Sequence, residues 1–283
     1  MAPVTSTAIE HITNPLAISS QLVNLNNAEG DHGQSIRFAQ AALTSAAGIL
    51  LRLSQEIIAQ AIVLLQRFWV SSRPEDREGF SPKTFSAAAI YLAAKLSATP
   101  VSPRSVVNVY AYLTSPKASP LPFINPHANG DAGAPAEPDP MDYFVTEGTY
   151  ERERQRLFVC ESVILVGVGF DTRVALPYSL ALTYIQALGV SSTKLARRVF
   201  EHLNAGLLSP QLLYLTHQPN ALAVGAIYLA ARETGVKLVE QNWWEVFDVD
   251  REDLGFLLLA YGSLANFAEA EAEKWKTAPL LLD

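Results

Sequence analysis

Residues 163–173, Val-Ile-Leu-Val-Gly-Val-Gly-Phe-Asp-Thr-Arg, carry a pattern that could hold a cofactor. Apolar residues lead into Gly167 and Gly169, and Asp171 follows two residues later. A buried strand followed by a Gly-x-Gly turn lets the backbone approach a nucleotide-like cofactor, whose ribose hydroxyls need a carboxylate after the next strand. The stretch is therefore either a cofactor loop or the end of a helix.

The residues around the two glycines favour the end of a helix. Five residues before them share one helical face, namely Leu157, Phe158, Glu161, Ile164 and Leu165. No acidic residue occurs between 174 and 200, so the carboxylate that a ribose needs is missing. We predict that Gly167 and Gly169 end a helix. The alternative is a methyltransferase, because the stretch resembles the cofactor loop of certain S-adenosylmethionine-dependent enzymes.

Other side chains that could do chemistry are few and far apart. The single cysteine, Cys160, lies in an apolar run, where a free cysteine packs as a core residue. The five histidines show no metal-ligand spacing: His11, His32, His127, His202 and His217. We therefore expect no catalytic residue, no metal site and no cofactor. Trp243 and Trp244 could stack on a peptide, but their apolar neighbours favour a place in the core.

The composition fits a folded protein with a large apolar core. The chain has 283 residues, of which 49% are hydrophobic and 17% charged, enough for one large domain or two ordinary ones. The net charge of −7 argues against a nucleic-acid surface. No apolar run reaches the ~18 residues that span a bilayer, and the N-terminus does not resemble a secretory signal. We expect a soluble, intracellular protein that contacts neither membrane nor nucleic acid directly.

Apolar residues recur at helical spacing along most of the chain, and no stretch alternates long enough to form a sheet. We predict an all-α protein whose polar residues 1–33 form an extended arm. Residues 114–140 are rich in Pro, Gly, Asn and Asp and predict a long exposed loop. Ser-Pro pairs at 115–116 and 119–120 could be sites for a proline-directed kinase, although the turn residues of a Pro-rich loop explain them better.

Two stretches repeat one another without a gap. Residues 82–95 read PKTFSAAAIYLAAK, and residues 219–232 read PNALAVGAIYLAAR. Small residues line a helix where its neighbours approach closely, so each copy predicts the central helix of a bundle. Two copies predict two similar bundles in tandem. The alternative is two unrelated alanine-rich helices.

The repeat and the helix ending at Gly167 resemble the cyclin family, and the likeness is greatest to its cyclin L branch. Three stretches carry the resemblance, residues 45–72, 88–113 and 218–232, and residues 14–22 resemble the segment before the first box. The resemblance implies two tandem five-helix cyclin boxes. We expect an N-terminal arm over 1–33, a first box over 34–172 and a second box over 173–283.

The resemblance also implies a site that binds a kinase. In cyclins a lysine on the third helix and a glutamate on the fifth hold a regulatory helix of the kinase, and Lys95 and Glu161 match them. Leu165 and Phe170 would pack beside the pair. An unpaired buried carboxylate on an apolar stripe is costly, which independently indicates a partner for Glu161. The alternative is a pair that only ties two helices together.

The implied function is that of a kinase regulator without catalytic activity. The resemblance implies a nuclear cyclin that activates a cyclin-dependent kinase, of the PITSLRE type, in transcription and pre-mRNA splicing. A further splicing or transcription protein is a second implied partner. The alternative is a cyclin-fold scaffold of the transcription factor IIB type, but the chain has no Cys-x-x-Cys for a zinc ribbon.

The chain departs from the family pattern in several places. Ser97 and Ala98 replace the acidic residues that usually follow the lysine, and Gly167 and Gly169 replace bulkier or charged residues. The loop 114–140 is unusual, and the Arg-Ser-rich tail of many cyclin L proteins is missing from this sequence. These departures bear on the identity of the partner more than on the fold.

Overall fold

The structure, a computed structural model, describes residues 13–125, 139–238 and 242–277. Ten α-helices lie within these residues: α1 Ser19–Leu50, α2 Gln55–Ser71, α3 Pro82–Leu96, α4 Pro103–Leu113, α5 Glu147–Gly167, α6 Tyr178–Ala187, α7 Thr193–Gly206, α8 Leu213–Thr216, α9 Pro219–Thr234 and α10 Arg251–Thr277. Short 3-10 segments lie at Pro74–Arg77, Pro140–Tyr143 and Trp243–Phe247. The described ranges contain no β-strand. The predicted all-α class is confirmed.

Hydroxyl side chains cap the helices that carry the site. Ser81 Oγ accepts a hydrogen bond from Thr84 N before α3, and Thr146 Oγ1 accepts one from Thr149 N before α5. Such caps satisfy backbone N–H groups that have no partner inside the helix. At its other end α5 stops at Gly167, and Gly169 follows with a φ of 62°. The glycines of the opening motif therefore end a helix, as the sequence predicts.

The chain forms two compact units. Within the described residues, the first unit comprises 20–172 together with 266–277, and the second comprises 13–19 together with 173–265. The chain passes from one unit to the other between residues 172 and 173, where we expect the first box to end. Assignment of the units to cyclin boxes stays a prediction.

The repeated helix lies at the centre of each unit. In the first unit α3 packs against α2, α4 and α5, and in the second α9 packs against α6, α7 and α8. The inner residues of α3 include Ala88, Ala89 and Ala93, each fully buried. Because alanine is short, the neighbouring helices lie close to α3, which is what the repeat predicts.

A buried hydrogen-bond network ties the first four helices together. Thr44 on α1 bonds Ser86 on α3 at 2.7 Å, and Ser86 bonds Tyr110 Oη on α4 at 2.6 Å. On α2, Trp69 Nε1 donates to Gln40 Oε1 at 2.6 Å. Since a buried polar group is costly without a partner, these bonds fix the register of the helices.

The structure differs from the sequence prediction at the N-terminal arm. Residues 13–18 form no helix or strand, but α1 begins at Ser19 and is kinked at Gly30, whose φ is 58°. In this first part of the helix, the side chain of Leu25 is buried and only 6% exposed. One buried leucine among polar residues is too weak a pattern to predict a helix from sequence.

Residues 13–18 attach to the second unit through Asn14. Its side chain donates to Ala175 O and accepts from Ala175 N, each at 2.8 Å. Its backbone N donates to Gln218 Oε1 at 2.9 Å, and its backbone O accepts from Gln218 Nε2 at 3.0 Å. Four hydrogen bonds at a 6% exposed asparagine hold this segment in place.

The predicted exposure of residues 114–140 does not hold for the first part of that loop. Ser115, Ala118, Ser119 and Phe123 are buried, and residues 126–138 lie outside the described residues. Ser119 Oγ donates to Leu113 O at 2.5 Å, so its hydroxyl caps the end of α4 rather than facing solvent. Neither Ser-Pro serine of this segment is accessible for phosphorylation in this fold.

The end of α10 also differs from the prediction that residues 173–283 form one box. Trp275 stacks on Phe38 with ring centroids 5.7 Å apart, and its ring lies 5.1 Å from that of Phe123. Phe267 meets the same Phe38 ring edge-on at 5.2 Å. These aromatic contacts place residues 266–277 in the first unit.

In the second unit Trp243 is buried, in agreement with a core position.

Candidate functional site

The ends of two packed helices bring Lys95 and Glu161 together. Lys95 lies in the last turn of α3, where its positive charge complements the helix dipole. Glu161 lies near the end of α5, which packs along α3. Lys95 Nζ donates to Glu161 Oε1 at 2.9 Å. The two residues that the sequence analysis pairs are therefore in direct contact.

The two side chains differ in burial. The Lys95 side chain is 56% exposed, whereas that of Glu161 is 8% exposed. The hydrogen bond from Lys95 to Glu161 raises the pKa of the lysine, so its ammonium stays charged across the physiological range. The nearly buried carboxylate is thus bonded to a half-exposed ammonium, which leaves N–H donors of Lys95 accessible to a partner.

Two aromatic rings line the site beside the ion pair. The Lys95 ammonium lies 5.8 Å from the centre of the Tyr91 ring. The Tyr91 and Phe158 rings are 5.9 Å apart, so α3 and α5 each contribute one ring. An ammonium this close to an aromatic face gains a weak electrostatic attraction. Tyr91 therefore contacts both the lysine of the pair and the ring that α5 contributes.

Leu165 and Phe170 lie on α5 and on the turn that follows it. Leu165 is half-buried, whereas Phe170 is 69% exposed. The φ of Phe170 is 59°, in the left-handed region where a bulky residue costs about 1–3 kcal/mol. Phe170 N donates to Leu165 O at 2.8 Å, which closes the turn. The fold therefore holds a large apolar ring in solvent at the expense of backbone strain.

Helix α2 anchors that turn. Ser71 Oγ donates to Gly167 O at 2.8 Å, and Gln60 Nε2 donates to Thr172 O at 3.1 Å. A Cβ at Gly167 would lie 2.6 Å from the Phe68 ring, so only glycine lets α5 approach α2 this closely. The glycine that resembles part of a cofactor loop serves close packing of two helices.

Sequence reasoning missed several residues of the site, among them Tyr91 and Leu96. Tyr91 lies four residues before Lys95 and therefore shares its helical face, a spacing that could have identified it. Leu96 is 53% exposed at the end of α3. Its exposure follows from where the helix stops, which the sequence pattern does not reveal.

The other side chains that could do chemistry do not form a site in the part of the chain that the structure describes. Cys160 is buried, and burial raises the pKa of its thiol well above the ordinary value, so it is not a nucleophile. No cluster of three metal-ligating side chains occurs in the part of the chain that the structure describes. Among the same residues, no helix is both long and apolar enough to span a bilayer.

Sequence comparison finds cyclins over most of the chain. No protein-family model matches it. A cyclin-L1-like protein of Schizosaccharomyces pombe is 27% identical over 277 residues, which cover 96% of each chain. Cyclin-T1-3 of Oryza sativa is 30% identical over 73% of this chain and 38% of its own length. Cyclin-L2 of Homo sapiens is 26% identical over 88% of this chain and 45% of its own length. The chain thus spans less than half of these two longer relatives.

Two solved structures share the fold. A chain of the yeast RNA Pol II CTD kinase CTDK-1 complex superposes with a TM-score of 0.64 over 90% of this chain and 73% of its own, at 15% identity. A chain of the CAK complex from Chaetomium thermophilum superposes with a TM-score of 0.60 over 97% and 85%, also at 15% identity. The sequence relatives and the two helical units support a member of the cyclin family that is close to cyclin L.

Proposed function

We propose that this chain is the regulatory subunit of a cyclin-dependent serine/threonine kinase. The observation that carries the proposal is the buried Glu161 carboxylate, whose lysine partner is half-exposed at the surface. Large apolar side chains within nine residues of Lys95 or Glu161 in the sequence are exposed as well: Leu96, Phe158, Val166 and Phe170. Exposed apolar groups around a polar anchor are typical of a protein-binding surface.

The surface fits an amphipathic helix of the kinase. The apolar face of such a helix would cover Phe158, Leu165 and Phe170, while Lys95 and Glu161 would hydrogen-bond its backbone. Binding would hold the regulatory helix of the kinase inward, so that the lysine–glutamate ion pair of the kinase forms and its activation segment opens. The cyclin would then act as a ligand with higher affinity for the active state. It performs no chemistry itself.

The comparisons support a role in transcription, and the resemblance to cyclin L is the basis for a role in splicing. The relatives are cyclin-L-like and cyclin-T proteins, and one structural neighbour belongs to an RNA Pol II CTD kinase complex. We propose that the partner kinase, of the PITSLRE type, acts in RNA polymerase II transcription and pre-mRNA splicing in the nucleus. A further splicing or transcription protein would complete the complex.

Purification of the tagged chain from its own cells, followed by mass spectrometry, tests which kinase accompanies it. Calorimetry then measures the affinity of the chain and its site variants for that kinase. Lys95→Ala and Glu161→Ala are each expected to weaken binding by about 2–4 kcal/mol, as for one member of a polar cluster at an interface. Arg232→Ala, at the corresponding position of α9, is the matched control and should leave affinity unchanged. If the wild type and all three variants bind the kinase with equal affinity, this site is refuted. If no kinase is found among the proteins that co-purify with the chain, the function is refuted.

A further inference from the structure

An open cavity lies in the first unit, beside the two helices that carry the Lys95–Glu161 pair. It has a volume of about 260 Å³ and lies between α3, α4 and α5. Its walls are mainly apolar, and Ala87, Val106, Val107 and Leu157 contribute to them. Among its lining residues, Lys83 lies twelve residues before Lys95 on α3, about 18 Å along the helix axis, and Leu157 lies four residues before Glu161 on α5, about 6 Å. The cavity is lined by residues other than those of the proposed kinase surface, although Leu157 directly precedes Phe158.

Positive charge surrounds the mouth of the cavity. Lys83 and Arg152 line it, and Arg156 lines the groove that continues from it past Lys83. The anionic residue of this lining is Glu153, whose Oε1 lies 3.6 Å from Arg152 Nε and 3.7 Å from Arg156 Nη1. Two arginines share this one carboxylate, which leaves positive charge at the surface although the net charge of the chain is −7.

The size and walls of the cavity restrict what could occupy it. A volume of 260 Å³ lies below the roughly 300–1,000 Å³ of pockets for whole small molecules. It suits one or two apolar side chains. Short side chains at Ala87 and Ala111 leave the space unfilled, and an unfilled apolar cavity costs stability. Met141 and Phe144, both exposed, lie shortly before Val145 of the cavity wall in the sequence.

We propose that this cavity binds a short acidic segment of a partner protein. A leucine- or phenylalanine-sized side chain of the segment enters the cavity, and its flanking carboxylates face Lys83, Arg152 and Arg156. Charge complementarity selects carboxylates, and the apolar walls select a peptide over a nucleic-acid backbone, which has no apolar group to insert. The proposal is independent of kinase binding.

Fluorescence anisotropy with the full chain tests the site. The probes are fluorescein-labelled nine-residue peptides with a central leucine or phenylalanine, flanked by glutamate and aspartate, by serine, or by lysine. The acidic peptides are expected to bind about tenfold more tightly than the serine peptides, and the lysine peptides not at all. An alanine at the centre of the acidic peptide should weaken its binding about tenfold or more, because the cavity then stays unfilled.

Two variants and one control locate the binding. Arg152→Glu should weaken binding of the acidic peptide about tenfold and reverse the preference towards lysine flanks. Ala111→Leu, at a half-buried wall position, should remove the advantage of a central leucine over alanine. Arg197→Glu makes the same charge change on an 82% exposed side chain of the second unit and should have no effect. Thermal melts of each variant establish that it is folded.

Three results would overturn the proposal. One is that none of the peptides binds, or that serine-flanked peptides bind as well as acidic ones. Another is that acidic peptides bind equally to the wild type and to both variants. The third is that a ten-nucleotide uridine RNA binds with the same dependence on Arg152 and displaces the acidic peptide, which would indicate a nucleic-acid surface.

Discussion

The two members of the Lys95–Glu161 pair are expected to contribute unequally to the stability of the isolated chain. The Lys95→Ala change leaves the carboxylate of Glu161, whose side chain is 8% exposed, without its ammonium donor. The Glu161→Gln change instead leaves a lysine side chain that is 56% exposed and that water can hydrate. The difference in burial therefore predicts a larger loss of unfolding free energy for Lys95→Ala.

The expected magnitudes follow from this burial. Removing one partner of a buried polar group costs about 1–3 kcal/mol, and breaking a fully buried ion pair costs about 3–5 kcal/mol. Because the lysine half of this pair is solvated, we expect about 1–3 kcal/mol for Lys95→Ala. Glu161→Gln should cost only about 0–1 kcal/mol, the range of exposed pairs. The double variant should be more stable than Lys95→Ala alone, since it no longer buries an unpaired charge.

Urea unfolding of the isolated chain at pH 7, followed by circular dichroism and tryptophan fluorescence, measures these differences. The wild type, the two single variants and the double variant form one thermodynamic cycle. If Glu161→Gln costs as much as Lys95→Ala, or if the double variant is no more stable than Lys95→Ala, then the unequal burial does not control the stability of the pair.

Three other changes test the packing and the pH dependence. Gly167→Ala should lower the unfolding free energy by about 1–3 kcal/mol, because its Cβ would lie 2.6 Å from Phe68. Gly148→Ala on the same helix has no atom within 4 Å of its Cβ and should be neutral or stabilising by up to about 1 kcal/mol; equal urea midpoints for the two variants would contradict this. Trp275→Ala should cost about 3–5 kcal/mol in the same assay, since it removes a buried ring from between two aromatic neighbours, and a loss below about 1 kcal/mol would argue against that packing. The pKa of Lys95 is raised above 10.5 by its hydrogen bond with the carboxylate, so the stability from the pair is fully present below pH 10.5 and is lost as the pH rises through the folded-state pKa. The difference in unfolding free energy between wild type and Lys95→Ala should therefore narrow above pH 10.5, and a constant difference would show that the lysine charge is not involved.

The sequence by itself predicts the class of the fold and its internal symmetry. Apolar spacing of three and four residues predicts helices, and the ungapped match of 82–95 with 219–232 predicts that α3 and α9 are equivalent central helices. These features are local, because the periodicity of a helix is written in consecutive residues. The two glycines at 167 and 169 are predicted as a helix end for the same reason. The pairing of Lys95 with Glu161 comes from the resemblance to cyclins, and the structure places the two atoms in contact.

Only the tertiary structure shows which surfaces are open and which distant segments meet. Phe123 is in a segment that reads as an exposed loop, yet it is buried against Trp275 from the far end of the chain. Phe170 is assigned to the kinase-binding site by the resemblance alone, and only the anchored turn after α5 shows that its ring is exposed. Likewise, the cavity between α3, α4 and α5 is formed by side chains that are up to about 70 residues apart in sequence. Composition records how many apolar groups a chain has, but burial depends on contacts between residues far apart in sequence, which a local pattern does not encode.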